Sequence, residues 1–442
     1  MTEESGALTA EQPAGGSGVS ASTIKSGFGK RHWMVIFFQG MLFWVGAGLV
    51  THGLNVVLPT LSAEYNLDYA QLLLWATPAS WAGIAASYLC AKMTEKWGAK
   101  FTILICVFFA AISYAALGWA SSITAFVIFF SGVAFFGSGF AYIAGPALVA
   151  NWFPMKKDLA FGWTTVGQSL SSAFYVPVLV LFLGIFGSQY GFAGMSAILL
   201  AVFVLIAIFT TNKPEEIGCY PDNDPDWQAK LIKSQAKAES AAAGASKAVD
   251  LSTAGLLRSK DIWLLGLGAG GVYIILVGVL SQLVPRLISM GYDLNTAIFY
   301  MSLSALIGTI GSPVWGWLAQ RISTKMALIV YEVWWIVAIV LNMISNGNEI
   351  LLWASLVMIG LSLGGATNLT TSVVAGKYPR EAFAKAFGVV SPIQSVVRCF
   401  AFSILAFGLN YLGGYTGAYA LLVGIGVITM ILYWLVDPTP VE

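Results

Sequence analysis

The chain has 442 residues, of which 58% are hydrophobic and only 10% charged, with a formal net charge of +1 and a mean hydropathy of +0.79. A soluble domain carries roughly a quarter charged residues, so this composition excludes a soluble globular protein and points to a membrane protein. The net charge of +1 says nothing about partners, among which no nucleic acid is expected, and with no cysteine in a predicted outer loop a disulfide framework is not expected.

In chain order, residues 1–31 are rich in Gly, Ser, Ala and acid and lack an apolar core. They predict a disordered tail, neither a signal peptide nor a span. Apolar runs of about 20 residues, the length that crosses a hydrocarbon core ~30 Å thick, then recur. Twelve transmembrane helices are predicted, at 33–58, 70–91, 101–119, 123–150, 159–186, 190–211, 261–289, 295–319, 326–345, 349–375, 384–411 and 414–436. One long loop interrupts them, and its stretch SQAKAESAAAGASKA is of low complexity. The expected organisation is an all-α membrane protein: a six-helix bundle over 32–211, a linker over 212–260, a second bundle over 261–436 and a short tail over 437–442. Positive residues collect on the cytoplasmic side of short loops. With the N-terminus placed inside the cell membrane, all Lys and Arg obey except Arg286 and Arg398, and the C-terminus returns to the inside.

The chain repeats itself. Asn151–Ser172, NWFPMKKDLAFGWTTVGQSLSS, is echoed by Gly376–Arg398, GKYPREAFAKAFGVVSPIQSVVR, with Pro154 and Pro379 lying 225 residues apart. The loop AKMTEKWGAK after span two is echoed at the same offset by GWLAQRISTK after span eight. Two pairs at one offset indicate a duplicated six-helix unit, hence two pseudo-symmetric bundles.

These loops resemble the signature of the major facilitator superfamily, in which a Gly, an acid and basic residues join spans two and three. Glu95, Lys96, Gly98 and Lys100 match or nearly match it, while Ala91 replaces the leading Gly. The second copy keeps Gly316, Arg321 and Lys325 but has Gln320 for the acid. The resemblance implies that Glu95, Lys96, Lys100, Arg321 and Lys325 belong to an inner gate, with charges that pair only while the inner side is closed. ANWFPMKKDLAFG, NKPEEIGCYPDND and GSGFAYIAGP resemble the oxalate:formate antiporter and monocarboxylate transporter branch, which implies a small organic anion, most simply a monocarboxylate. Span eight lacks the charges typical of that branch, which argues against a dicarboxylate.

The residues themselves point to a central site. Arg398 lies 13 residues beyond Lys385, about 20 Å into the membrane. An arginine there costs about 2.5–3.5 kcal/mol and should face a polar cavity with an anion. Gly388, Ser391, Ser395 and Arg398 form one small-polar stripe with Gln394 beside it, and Gly162, Thr165, Ser169 and Ser172 form its counterpart with Gln168. Ser172 is the repeat partner of Arg398, so duplication supplies two cavity walls of which one is charged. Trp44, His52 and Asn55 share a face of span one. Tyr142, Tyr273 and Asn368 are further candidates for substrate contact. Glu332, on a span peripheral in this superfamily, reads as structural or snorkelling, with proton coupling as the rival; a pair with Glu332 or satisfaction by backbone carbonyls is the alternative for Arg398; and Arg286 reads as solvated or as an entrance charge. No P-loop, no His/Cys metal spacing and no catalytic triad is present, so no enzyme activity, metal or cofactor is expected. The expectation is a monomeric secondary transporter in the lipid bilayer, moving a small organic anion by proton symport or anion exchange. A carrier of zwitterions such as betaines and a transporter-like membrane sensor are the alternatives.

Overall fold

A computed structural model describes residues 28–233, 251–345, 348–437, 439 and 441. The tail over 1–27 and the low-complexity stretch fall outside these residues, as do the side chains of Asn55 and Ser172.

Twelve helical rods follow one another. α1 is Lys30–Ala47, a π-helical turn Gly48–His52, and Leu54–Tyr65. α2 is Tyr69–Ser80 and Ala82–Trp97, and α3 is Ala99–Leu117. α4 is Ile123–Ser138, a π turn Gly139–Ala144, and Gly145–Trp152. α5 starts as Lys157–Thr164 and Val166–Leu170, passes a π turn Ser171–Tyr175, and enters Val176–Phe209. That run folds at Gly187, whose φ of 74° suits glycine, and its remainder is α6. α7 is Lys260–Ser289, α8 Leu294–Ile322 and α9 Thr324–Ile344. α10 is Glu349–Leu363 and Gly365–Lys377, bent by 41°; α11 is Phe383–Arg398 and Ala401–Tyr411; α12 is Tyr415–Trp434. Most rods are individually long and apolar enough to span a bilayer.

The first six rods pack as one bundle and the last six as another, and the duplication is visible in the backbone. Gly98, between α2 and α3, has φ 87°, and Ser323, 225 residues later between α8 and α9, has φ 93°. The turn demands a conformation that glycine supplies freely. The second copy forces it on a serine, whose Oγ caps Met326 N.

The two bundles meet along half their length. At the end where the lysines and arginines cluster, α2 packs on α11 and α5 on α8 and α10. The Cβ of any residue at Gly388 of α11 would collide with Ala91 of α2, and one at Gly316 of α8 would collide with the Asp158 carbonyl of α5. No comparable interface joins α1–α6 to α7–α12 at the opposite end among the described residues. The molecule is closed at its basic end and open at the other.

Candidate functional site

The stripe on α11 explains how the cavity opens. Ser391 Oγ lies 3.2 Å from Ser87 Oγ of α2, so the lower stripe is a contact face. Higher up, Gln394 and Ser395 are half-buried and Arg398 is exposed. There the helix breaks, at Cys399–Phe400, and the guanidinium lies over the ring of Tyr273 on α7 at 5.9 Å. Tyr273 is only 7% exposed, so the guanidinium lies against a buried ring of the second bundle.

From Tyr273 a hydrogen-bonded line crosses between the bundles. Its hydroxyl is 2.8 Å from Thr367 Oγ1 on α10, and Thr367 Oγ1 donates to Gln168 Oε1 on α5 at 2.8 Å. Gln394 also lies against the Tyr273 hydroxyl, and Tyr142, in the π turn of α4, is within electrostatic reach of both Tyr273 and Arg398. Arg398, Gln394, Gln168, Tyr142 and Tyr273 therefore converge at one place at mid-depth. Thr367 completes it. Nothing in the sequence singles out Thr367, although it lies three residues past the Gly364 bend.

Other sequence candidates lie elsewhere. Trp44 packs edge-on to Tyr175 at 5.7 Å, lining an apolar groove of about 410 Å³ between α1 and α5. His52 is half-buried in the π turn of α1, against α4 and α5. Asn368 is fully buried, its amide donating to the Ser312 carbonyl at 3.3 Å, and forms part of the cavity floor where α5 crosses α8. Arg286 is not freely solvated: it is 8% exposed, bonded to Asn342 at 3.4 Å and held over Tyr415. Arg398 and Glu332 form no ion pair.

The closed end is held by bonds from one bundle to the other. Glu95 accepts from Lys385 at 3.2 Å. Gln320, standing where the signature has its acid, donates to the Met155 carbonyl at 3.0 Å, and Thr324 donates to Asp158 at 2.7 Å. Arg380, nearly buried, grips Glu215 with two bonds of 2.8 and 3.2 Å and lies over Trp227. Partial burial, the largest single influence, raises the Glu215 pKa, but the Arg380 bonds, a backbone hydrogen bond and the charges of Arg380 and Lys213 together outweigh it and hold the carboxyl below its ordinary value. The remaining signature cations stay within one bundle. Lys100 donates to the Ala207 carbonyl, Lys325 to those of Trp434 and Val436, and Lys96 and Arg321 lie over Trp97 and Trp317.

The segment after α6 ties these parts together. Asn212 Oδ1 accepts from Lys100 N, and Asp222 accepts from the amides of Met155 and Lys156 at 2.8 Å each, capping the start of α5. Burial raises the Asp222 pKa against the pull of those amides.

Two helical bundles around a midplane polar site, closed at one end and open at the other, define an alternating-access membrane carrier. The Major Facilitator Superfamily family model matches residues 33–401 and again 291–442, and the chain belongs to that family. It is a multi-pass membrane transporter, and not an enzyme. Among solved structures it is similar to the proton:xylose symporter XylE bound to 6-bromo-6-deoxy-D-glucose, with a TM-score of 0.69 at 14% identity over 92% of this chain and 95% of that one. It is also similar to FucP in the outward conformation, with a TM-score of 0.68 at 16% identity over 92% and 99%, and to the human organic anion transporter MFSD10, with 0.63 at 16% over 91% and 99%. No curated protein matches the chain.

Proposed function

We propose that this protein carries a small organic anion, most simply a monocarboxylate, across the cell membrane, with its basic end and both termini in the cytoplasm. The observation that carries the reading is the Arg398 guanidinium, exposed at mid-depth over Tyr273 and paired with no acid among the described residues. An arginine there is retained for an anion, because its fork of donors matches a carboxylate. Gln168, Gln394 and the Thr367 and Tyr273 hydroxyls supply neutral donors from both bundles, so an occupant held by all of them would favour closure over itself. The charge asymmetry of the loops supports the orientation, which makes the described state outward-facing. Coupling is by proton symport or by exchange. Of the similar structures, MFSD10 is an organic anion transporter, whereas XylE and FucP are proton symporters of xylose and fucose.

A thermal-shift screen of purified protein against monocarboxylates, betaines and hexoses, followed by flux into liposomes, tests this. A ligand that prefers the folded state raises apparent stability. Stabilisation and uptake of a monocarboxylate are expected. Stabilisation by hexoses or betaines alone would refute the anion reading, and ligand binding without flux would favour a sensor.

A further inference from the structure

Among the described residues, Glu332 is the one buried acid that the gate, the α5 cap and the central site leave unused. It lies seven residues beyond Lys325 on α9, hence about 10 Å into the membrane. Its side chain is 0% exposed, and neither carboxylate oxygen has a hydrogen-bond partner among the described residues. Two buried donors around it are also without partners, the indole Nε1 of Trp335 one turn along and the hydroxyl of Tyr433 on α12. The other charged groups on α9 and the helices packed against it are Lys260, Asp261, Arg286, Arg321, Lys325, Glu349 and Lys377, all at helix ends. The titratable groups within its field are Tyr331 and Tyr433, and both lie within electrostatic range of Tyr273, the ring beneath Arg398.

An ionised carboxylate in this surrounding would lose its hydration with no ion-pair cation and no hydrogen bond from either nearby donor to replace it, at a cost of several kcal/mol. The neutral acid is therefore the form this state holds. A glutamine would fit the same space without a titratable group, so the acid has a use for its proton.

We propose that Glu332 is the proton-binding site of the transport cycle. Water in the open cavity supplies the proton while the basic end is closed. Opening of that end lets water reach the carboxyl, which breaks its O–H bond and passes the proton to water on the basic side. The proposal rests on the transporter reading above and, with a monocarboxylate as cargo, makes the cycle an electroneutral symport of one anion with one proton. Tyr273 would link the two sites, since its ring lies under Arg398 and it is within electrostatic range of the tyrosines around Glu332.

The test separates the proton from the cargo. Infrared difference spectra of the full chain in liposomes, titrated from pH 5 to 9 without substrate, should show the carbonyl stretch of a protonated carboxylic acid at neutral pH. Glu332→Gln should abolish that band and melt within a few degrees of the parent, because the neutral amide mimics the neutral acid. Glu332→Asp should retain a displaced band. Gly388→Val, which cannot close α11 on α2, should lose the band at lower pH than the parent. With labelled lactate as probe, Glu332→Gln should lose at least ~10-fold in accumulation driven by a pH gradient while keeping lactate–lactate exchange. A band unchanged in Glu332→Gln, or gradient-driven accumulation unchanged, would overturn the proposal. If lactate is carried by none of the proteins, the anion reading fails while the infrared result still decides the proton site.

Discussion

Removing the Arg380 guanidinium should open the basic end, and by more than removing the signature acid Glu95. Arg380 has 9% side-chain exposure and makes two bonds to Glu215, whereas Lys385 and Glu95, at 28% and 41% exposure, share a single contact of 3.2 Å. A bidentate charge-assisted pair with one partner desolvated is worth about 1–2 kcal/mol, an exposed pair ~0.2–1 kcal/mol. Both bonds tie the start of α11 to the segment after α6, which Asn212 and Asp222 fasten to the first bundle, so their loss should act on the conformational equilibrium. At about 1.4 kcal/mol per decade, Arg380→Gln should shift the population toward the state open at the basic end by ~5- to 30-fold, and Glu95→Gln by no more than ~5-fold. Distances between spin labels at Lys96 and Arg321, exposed on opposite bundles at that end, would report it. Glu215→Gln should reproduce the Arg380 effect. Because the Glu215 pKa is depressed, its contribution is intact at neutral pH and is lost as pH falls through that lowered value. A larger shift for Glu95→Gln than for Arg380→Gln would refute the reasoning.

Three further outcomes follow from local geometry. Asp222→Ala should lower thermal stability by about 2–3 kcal/mol, since it removes both caps of α5 and puts alanine at φ 55°, while Asp222→Asn, tolerant of that backbone, should cost about half as much. Ser323→Gly should instead stabilise by ~1 kcal/mol, relief of the positive φ exceeding the loss of a weak 3.4 Å cap; an unchanged melting temperature would count against strain there. A membrane-impermeant thiol reagent should reach Cys219 only from the cytoplasmic face and a cysteine at Asn348 only from outside, and the reverse pattern would invert the proposed orientation.

The fold was legible because a bilayer demands long apolar runs and because the 225-residue echo survives in Pro154/Pro379 and in the Gly98/Ser323 turns. The boundaries were less so. α1 runs to Tyr65, seven residues past the predicted Leu58, and ends only at Asn66 in a left-handed conformation, since a polar helix end outside the hydrocarbon core carries no hydropathy signal. The central cluster could be assembled from Arg398, Gln394 and Gln168 because polar groups at membrane depth are expensive, but Thr367 looks like any helix-packing threonine. The three π turns in α1, α4 and α5 each insert a residue into the helical register, so stripes counted at a uniform spacing fail beyond them. The stripe from Gly162 to Ser172 is one such case: it also crosses a break at Thr165. On α11 no such insertion intervenes between Gly388 and Arg398, and the counted stripe holds. The bond from Arg380 to Glu215 joins residues 165 apart and belongs to no local pattern, so only the folded chain reveals it.

Arg398 is where depth, exposure and asymmetry meet, and its substitution is the most direct test of the cargo. Its guanidinium lies against the face of Tyr273 and bonds to no acid among the described residues, so Arg398→Gln should leave the melting temperature of the ligand-free protein nearly unchanged. Binding is another matter. Truncating one partner of a hydrogen-bonded charge pair in a partly desolvated cavity costs about 2–4 kcal/mol, so affinity for a monocarboxylate should fall ~30- to 1000-fold. Arg398→Lys keeps the charge without the planar fork and should recover only part of the loss. Since Glu332 is not its partner, the double substitution Arg398→Gln/Glu332→Gln should be additive in stability, within about 0.5 kcal/mol of the sum of the singles. A stability rescued by the double change would mean that the two residues meet in another state of the cycle. Parental affinity for the carboxylate in Arg398→Gln protein would remove the arginine from the site, and with it the physical reason for calling the cargo an anion.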